Sequence, residues 1–344
     1  MSPAAPSLAY VSCAGSGDVC VLGLDPRDGS LRELQRLHLG GRLMPMALHP
    51  RRTHLYVARR SPPLAAISLR IDATGRLQPV GEAPLPASMA YISCDRSGQF
   101  LFSASYDAHL VAVNAIDDLG LVGAVLQQLP TEPNAHAIGA DPGNRFVFST
   151  SLGGECLRRF DFDARSGRLT PHAQPMQLVA PGAGGRAGPR HFAFHPNGRW
   201  LYVIHELDAS IATYGFDAAS GATQSLQRID SLPPGFSGEP WAAELRIATD
   251  GRHLYCSERR SSTLAAFALD ASTGRLSLIG HRATETQPRG FALDPTGQWL
   301  LCAGQLSGRV SSHPVHAASG ALGPAAASIE VGADPNWVET LALA

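Results

Sequence analysis

Four arginines stand in settings that could do chemistry. Arg190 lies in Gly188-Pro-Arg-His191 and Arg289 in Gln287-Pro-Arg-Gly290, while Arg60 ends Ala58-Arg-Arg60 and Arg259 ends Ser257-Glu-Arg259. Acids and imidazoles sit in comparable places: His136 in Asn134-Ala-His136, Glu206 after His205, and Glu244 in Trp241-Ala-Ala-Glu244. His191, Tyr106 in Ser105-Tyr-Asp107 and Gln305 after Gly304 join them. A guanidinium is a planar fork of donors that fits carboxylate, phosphate or a developing oxyanion. A carboxylate or imidazole can take a proton from water and return it to a leaving group. Arg190 and Arg289 each follow a proline and lie two residues before a phenylalanine. A guanidinium buried in such a place needs an anionic partner.

These residues are far apart in the chain, so a repeat must bring them together. Six segments share one pattern, an apolar strand, a polar turn and an apolar-aromatic strand. They begin at His49, Asp95, Asp141, His195, Ala248 and Asp294, spaced 46, 46, 54, 53 and 46 residues apart. His195-Pro-Asn-Gly-Arg-Trp-Leu-Tyr202 is typical. A second turn recurs between them, as in Asp25-Pro-Arg-Asp-Gly-Ser-Leu31, Asp72-Ala-Thr-Gly-Arg-Leu77 and Asp270-Ala-Ser-Thr-Gly-Arg-Leu276, with further copies at Asp163, Asp217 and His316. Asp accepts a local backbone hydrogen bond there and Gly supplies positive φ. Two hairpins per repeat make four strands, the unit of a propeller blade.

The expected fold is therefore all-β: a single seven-bladed β-propeller over residues 1–344, with four antiparallel strands per blade. Six units are complete. Leu8-Ala-Tyr-Val11 and Pro335-Asn-Trp-Val-Glu-Thr-Leu341 supply the seventh, split between the chain ends. Pairing of the N- and C-terminal strands closes the ring and hides its edges. In each blade the first strand runs to the Pro/Gly turn and the second returns. The start of the first and the end of the second then share one rim, where Arg60, Arg190, Arg259, Arg289, His136, Glu206 and Glu244 gather. The two longer repeats put their extra residues, 180–188 and 232–239, on the same rim, where they could wall a pocket.

Composition narrows the function classes. A net charge of −1 gives no global basic field for nucleic acid. No run approaches the roughly 20 apolar residues of a membrane span, and Met1-Ser-Pro-Ala-Ala-Pro6 lacks a signal peptide's basic and apolar parts. The chain reads as cytoplasmic. Its six cysteines are scattered without a C-x-x-C pair and read as small buried thiols. His191 and His195 would be about 13 Å apart on a strand and cannot share one ion. No metal and no cofactor is expected. Glycines 182–188 lack the strand-to-helix setting of a dinucleotide loop, and no G-x-S-x-G elbow occurs.

Several stretches resemble the propeller-type bacterial 6-phosphogluconolactonases: Gly188-Pro-Arg-His-Phe-Ala-Phe-His-Pro196, His205-Glu-Leu207, Thr284-Glu-Thr-Gln-Pro-Arg-Gly-Phe291 and Ala303-Gly-Gln305. Thr249-Asp-Gly-Arg-His-Leu-Tyr255 and Ser97-Gly-Gln-Phe100 strengthen the likeness, which covers essentially the whole chain. A fungal carboxymuconate-lactonizing enzyme belongs to the wider family, and its proposed site matches His136, Arg190, Glu206 and Arg289. The resemblance implies hydrolysis of 6-phospho-D-glucono-1,5-lactone to 6-phospho-D-gluconate in the oxidative pentose phosphate pathway. Glu206 is the expected base and His136 the proton donor, with the two roles open to exchange. Arg190 and Arg289 would hold the oxyanion, and Arg60 and Arg259 a phosphate. His191, Glu244, Gln305 and Tyr106 are expected to contact substrate. The expected partner is a phosphorylated sugar lactone, with no nucleic acid or membrane, and the protein a monomer or weak homo-oligomer. Three positions depart from the bacterial pattern: His205 replaces Asn, Glu244 replaces Asp, and Asp107 replaces Asn. Another aldonolactone or a muconolactone is the alternative substrate, and a non-enzymatic binding platform the alternative function.

Overall fold

The computed structural model describes residues 7–179 and 185–343. Their strands form seven four-stranded sheets. Each sheet is an antiparallel meander, and its first strand lies innermost in the ring. The inner strands are Leu43–Leu48, Tyr91–Cys94, Ala135–Ala140, Pro189–Phe194, Ala242–Ile247, Pro288–Leu293 and Pro335–Ala342, and they define blades one to seven. Blade seven is the split one. Its inner strand Pro335–Ala342 pairs with Ser7–Cys13, setting Val338 opposite Val11, so the two chain ends close the ring as expected.

The core is distributed between blades. Leu8, Tyr10, Val19 and Val21 of blade seven meet Leu55, Val57, Ile67 and Leu69 of blade one, and comparable apolar layers fill every other blade junction. A strand packed on both faces reads as a continuous apolar run, as Tyr202, Val203 and Ile204 do, all fully buried. Five of the six cysteines are buried, and all six are free thiols.

The second hairpin turns lock neighbouring blades together. Trp200 of blade four packs on Gly274 of blade five, and Tyr202 donates its hydroxyl hydrogen to the Gly274 carbonyl at 2.8 Å. Tyr10, Tyr56 and Tyr255 make the same bond to Gly75, Gly120 and Gly320. Phe148 has no hydroxyl, and Arg159 donates to the Gly221 carbonyl in its place. Ser312 does so for Gly29. The turn Asp117-Asp-Leu-Gly120 is a further copy, hidden in the sequence by exposed Leu119.

Gly274 has φ +72°, and a Cβ there would lie 2.5 Å from Trp200 Cδ2. Gly274→Ala should lower the unfolding free energy by about 2 kcal/mol or more, through φ strain and overpacking. Tyr202→Phe should cost about 1 kcal/mol, by leaving a buried carbonyl unpaired. Urea titration of both variants measures this, and wild-type stability in Gly274→Ala would show that the turn does not clamp the blades.

Candidate active site

The inner strands do more than line the ring. Six of them slip register near their start, and in blades three, four and six the single extra residue is a candidate. His136 lies between the pairs Ala135↔Ser151 and Ala137↔Thr150, and Arg190 between Pro189↔His205 and His191↔Ile204. Arg289 lies between Pro288↔Gly304 and Gly290↔Ala303. A bulge re-aims one side chain without moving the strand. The residue two before each has positive φ: Asn134, Gly188 and Gln287. The next residue, Ala135, Pro189 or Pro288, resumes the strand. Gly290 must be glycine, because a Cβ there would sit 2.5 Å from the Asn336 carbonyl oxygen on the adjacent inner strand.

Glu206 is the electrostatic centre. Its backbone is held at both ends, with its N–H donating to Gly188 O at 2.7 Å and its carbonyl accepting from Ala242 N at 3.1 Å. Its Oε2 accepts from Arg190 Nε at 2.7 Å and lies 2.9 Å from Arg259 Nη2. Its Oε1 accepts from Trp241 Nε1 at 3.1 Å. Burial alone would raise its pKa, but Arg259, Arg190, His136 and Arg289 overcome this and hold it at about 2. A carboxylate so stabilised is a poor proton acceptor. With both oxygens already engaged by donors, Glu206 fits the role of fixed counter-charge better than that of base.

His136 Nε2 stands 4.0 Å from Glu206 Oε2, close enough for one water to bond both. Its Nδ1 is buried without a partner among the described residues. Burial first, then Arg190 and His191, push its pKa well below the usual imidazole value, so the ring is neutral. Tyr106 is half-buried with its ring centroid 5.8 Å from that of His136.

The arginines divide into two kinds. Arg259 is committed to the protein, whereas Arg190 spends Nε and Nη1 on protein partners and keeps Nη2 without one among the described residues. Arg259 donates to the Trp241 carbonyl at 3.0 Å and the Ala242 carbonyl at 2.9 Å, and stacks 3.8 Å from the Trp241 ring centroid. It is 4% exposed, which does not suit the expected phosphate clamp. Arg289 is half-buried and makes no hydrogen bond or ion pair with the described residues. Burial, with Arg190 close by, lowers its pKa to about 9. Arg60 is also half-buried. It donates to Ser88 Oγ at 2.9 Å and to Met44 Sδ at 3.7 Å, and has no carboxylate partner among the described residues.

Three other expected contacts land elsewhere. His191 is 1% exposed and Glu244 2% exposed, both behind Arg190, so a ligand in the mouth does not reach them. Gln305 is on the rim but occupied, accepting from Gln287 Nε2 at 3.1 Å and donating to Asp334 Oδ1 at 2.6 Å. Residues 180–184 of the first rim insertion lie outside the described residues. Trp241 was not among the candidates, although it binds both Glu206 and Arg259. Its blade lacks the Pro-Arg signature of its neighbours, so the sequence offered no signal beyond an aromatic at a strand start.

Fold and site together define a propeller lactonase. A family model for lactonases with a seven-bladed β-propeller matches residues 8–340, and the chain belongs to this family. It is 41% identical over 334 residues to a 6-phosphogluconolactonase of Pectobacterium atrosepticum, covering 97% of this chain and 98% of that one. A Serratia proteamaculans 6-phosphogluconolactonase is 38% identical, covering 97% of this chain and 99% of that one. Among solved structures, a periplasmic gluconolactonase of Pseudomonas aeruginosa superposes with a TM-score of 0.91 at 26% identity, covering 98% of this chain and 100% of that chain.

The depressed pKa of Glu206 ties the site to stability. Its charge stabilises the fold above its ordinary value of 4.5, and this is lost as pH falls toward about 2. The contribution is roughly 3 kcal/mol. Glu206→Gln should be about 3 kcal/mol less stable at pH 7, since it leaves two buried guanidinium groups uncompensated. The gap to wild type should close below pH ~3. Urea melts across pH measure it, and a gap independent of pH would refute the assignment.

Proposed function

We propose that the protein hydrolyses 6-phospho-D-glucono-1,5-lactone to 6-phospho-D-gluconate. The observation that carries this reading is an imidazole, a buried carboxylate and two guanidinium groups without a bonded carboxylate gathered on one rim. The resident carboxylate is already shared by two arginines, which leaves Arg289 and Arg60 to attract an anionic ligand. Relatives of about 40% identity bearing the 6-phosphogluconolactonase name support the substrate.

In this reading His136 Nε2 takes a proton from water as the oxygen attacks the lactone carbonyl. Arg190 and Arg289 receive the developing oxyanion. As the tetrahedral intermediate collapses, the His136 imidazolium returns the proton to the departing ring oxygen. Glu206 stays ionised and stabilises the imidazolium across 4.0 Å. A bound anion beside Arg190 and Arg289 offsets two of the charges that depress the His136 pKa. The substrate thus makes its own base stronger. Arg60, with Arg289 and not Arg259, holds the phosphate. The unpaired thiols suit a reducing compartment, and we assign the reaction to the cytoplasm.

An unphosphorylated aldonolactone is the second reading. Asp107 lies near enough to Arg60 to favour its charged form, and so neutralises part of the field a phosphate would use. The Pseudomonas gluconolactonase neighbour also supports it.

His136→Asn should lower kcat by about 10²- to 10⁴-fold with little change in melting temperature. Assays need correction for spontaneous lactone hydrolysis, and wild-type turnover would remove His136 from the mechanism. Arg60→Met should raise KM about tenfold or more for the phosphorylated lactone and leave glucono-1,5-lactone nearly unchanged. Equal changes in both would favour the second reading.

A further inference from the structure

Behind Arg190 lies a second layer, formed by His191 and Glu244. Arg190 Nη1 donates to the Ala243 carbonyl at 2.6 Å and meets His191 Nε2 at 3.1 Å. Arginine can only donate, so His191 Nε2 must carry the lone pair. The ring proton is then on Nδ1, which donates to Glu244 Oε1 at 3.0 Å. Glu244 is held in turn. Its Oε1 also accepts from Leu245 N at 2.9 Å, and its Oε2 lies 3.6 Å from Arg246 Nη2. Arg246 Nη2 continues to Glu339 Oε1 at 3.2 Å.

The imidazole cannot turn to satisfy Arg190 in another way. Tyr91, His136 and Trp337 surround it, with ring centroids 5.0, 5.2 and 5.7 Å away. Its burial and the neighbouring arginines keep it neutral. A protonated His191 would have no lone pair for Arg190.

We infer that His191 and Glu244 are positioning residues for Arg190. Glu244 fixes the tautomer of His191, and His191 fixes the guanidinium plane that receives the oxyanion. This rests on the role given to Arg190 above. A misplacement of such a group by about 1 Å costs on the order of 100-fold in rate. The positioning pair therefore shows itself in kcat, with KM nearly untouched.

The test compares Arg190→Met, His191→Leu, His191→Gln and the double variant Arg190→Met/His191→Leu, with kcat, KM and melting temperature measured for each. His191→Leu is expected to lose about 10- to 100-fold in kcat. A Gln side chain can accept from Arg190 and donate to Glu244, so His191→Gln is expected to recover most of the loss. The double variant is expected to be no slower than Arg190→Met alone, because the positioning has nothing left to position. Additive losses, or equal losses in the Leu and Gln variants, overturn the inference. If His191→Leu does not fold, His191→Asn, too short to reach both Arg190 and Glu244, takes its place in the cycle under the same additivity criterion. Wild-type activity in Arg190→Met would instead overturn the role of Arg190, an outcome separate from the failure of the positioning pair.

Discussion

One buried carboxylate sets the electrostatics of this ring. Glu206 compensates Arg190 from its own blade and Arg259 from the next. Removing charges from water costs several kcal/mol per ion, and only close opposite charge with directed hydrogen bonds repays it. Glu206 meets both conditions, since each carboxylate oxygen accepts a hydrogen bond and its backbone is held by both flanking strands. The same saturation leaves it little capacity to accept a proton, which is why the proposed base is His136, 4.0 Å away. The division of labour follows from hydrogen-bond occupancy.

Backbone irregularity places the other groups. A regular strand would alternate side chains between the two faces of each blade and aim few of them along the channel. The bulges at His136, Arg190 and Arg289 break that alternation at one level of the ring. In blade five the slip spans Ala242 to Leu245, and it turns the Ala242 and Ala243 carbonyls toward Arg259 and Arg190. Buried guanidinium groups need acceptors as well as counter-charge, and these carbonyls supply them.

The fold was legible in the sequence because its constraints are local. Proline and glycine fix the hairpins, and the repeat fixes their number. Two of the bulged residues were legible too, since a proline before Arg190 and Arg289 marks a strand start, while His136 follows Ala135. Hydrogen-bond occupancy was not legible. Arg259 reads as a free cation until the Trp241 and Ala242 carbonyls and Glu206 are seen around it. His191 and Glu244 stand at strand starts that read as rim positions, yet the inner wall buries them. Trp241 stands in the one candidate-bearing strand start without the Pro-Arg pattern or a positive-φ residue two positions before it. Long-range partners decide each of these, and no spacing rule encodes them.

The remaining imbalance points toward ligand. Burial lowers the pKa of both Arg60 and Arg289, so each charge is held in the folded state at a cost. His136 is depressed by the same positive field. A structure selected for stability alone would place acids beside these arginines or replace them. Instead the fold leaves both without a bonded carboxylate on one rim, with Asp107 and Asp334 only partly offsetting their charge. In the proposed reaction an anion bound there would offset the charges that lower the Arg289 pKa and, with it, that of His136. Affinity and reactivity are then coupled through one field, and a neutral lactone of the same shape would receive only part of either benefit.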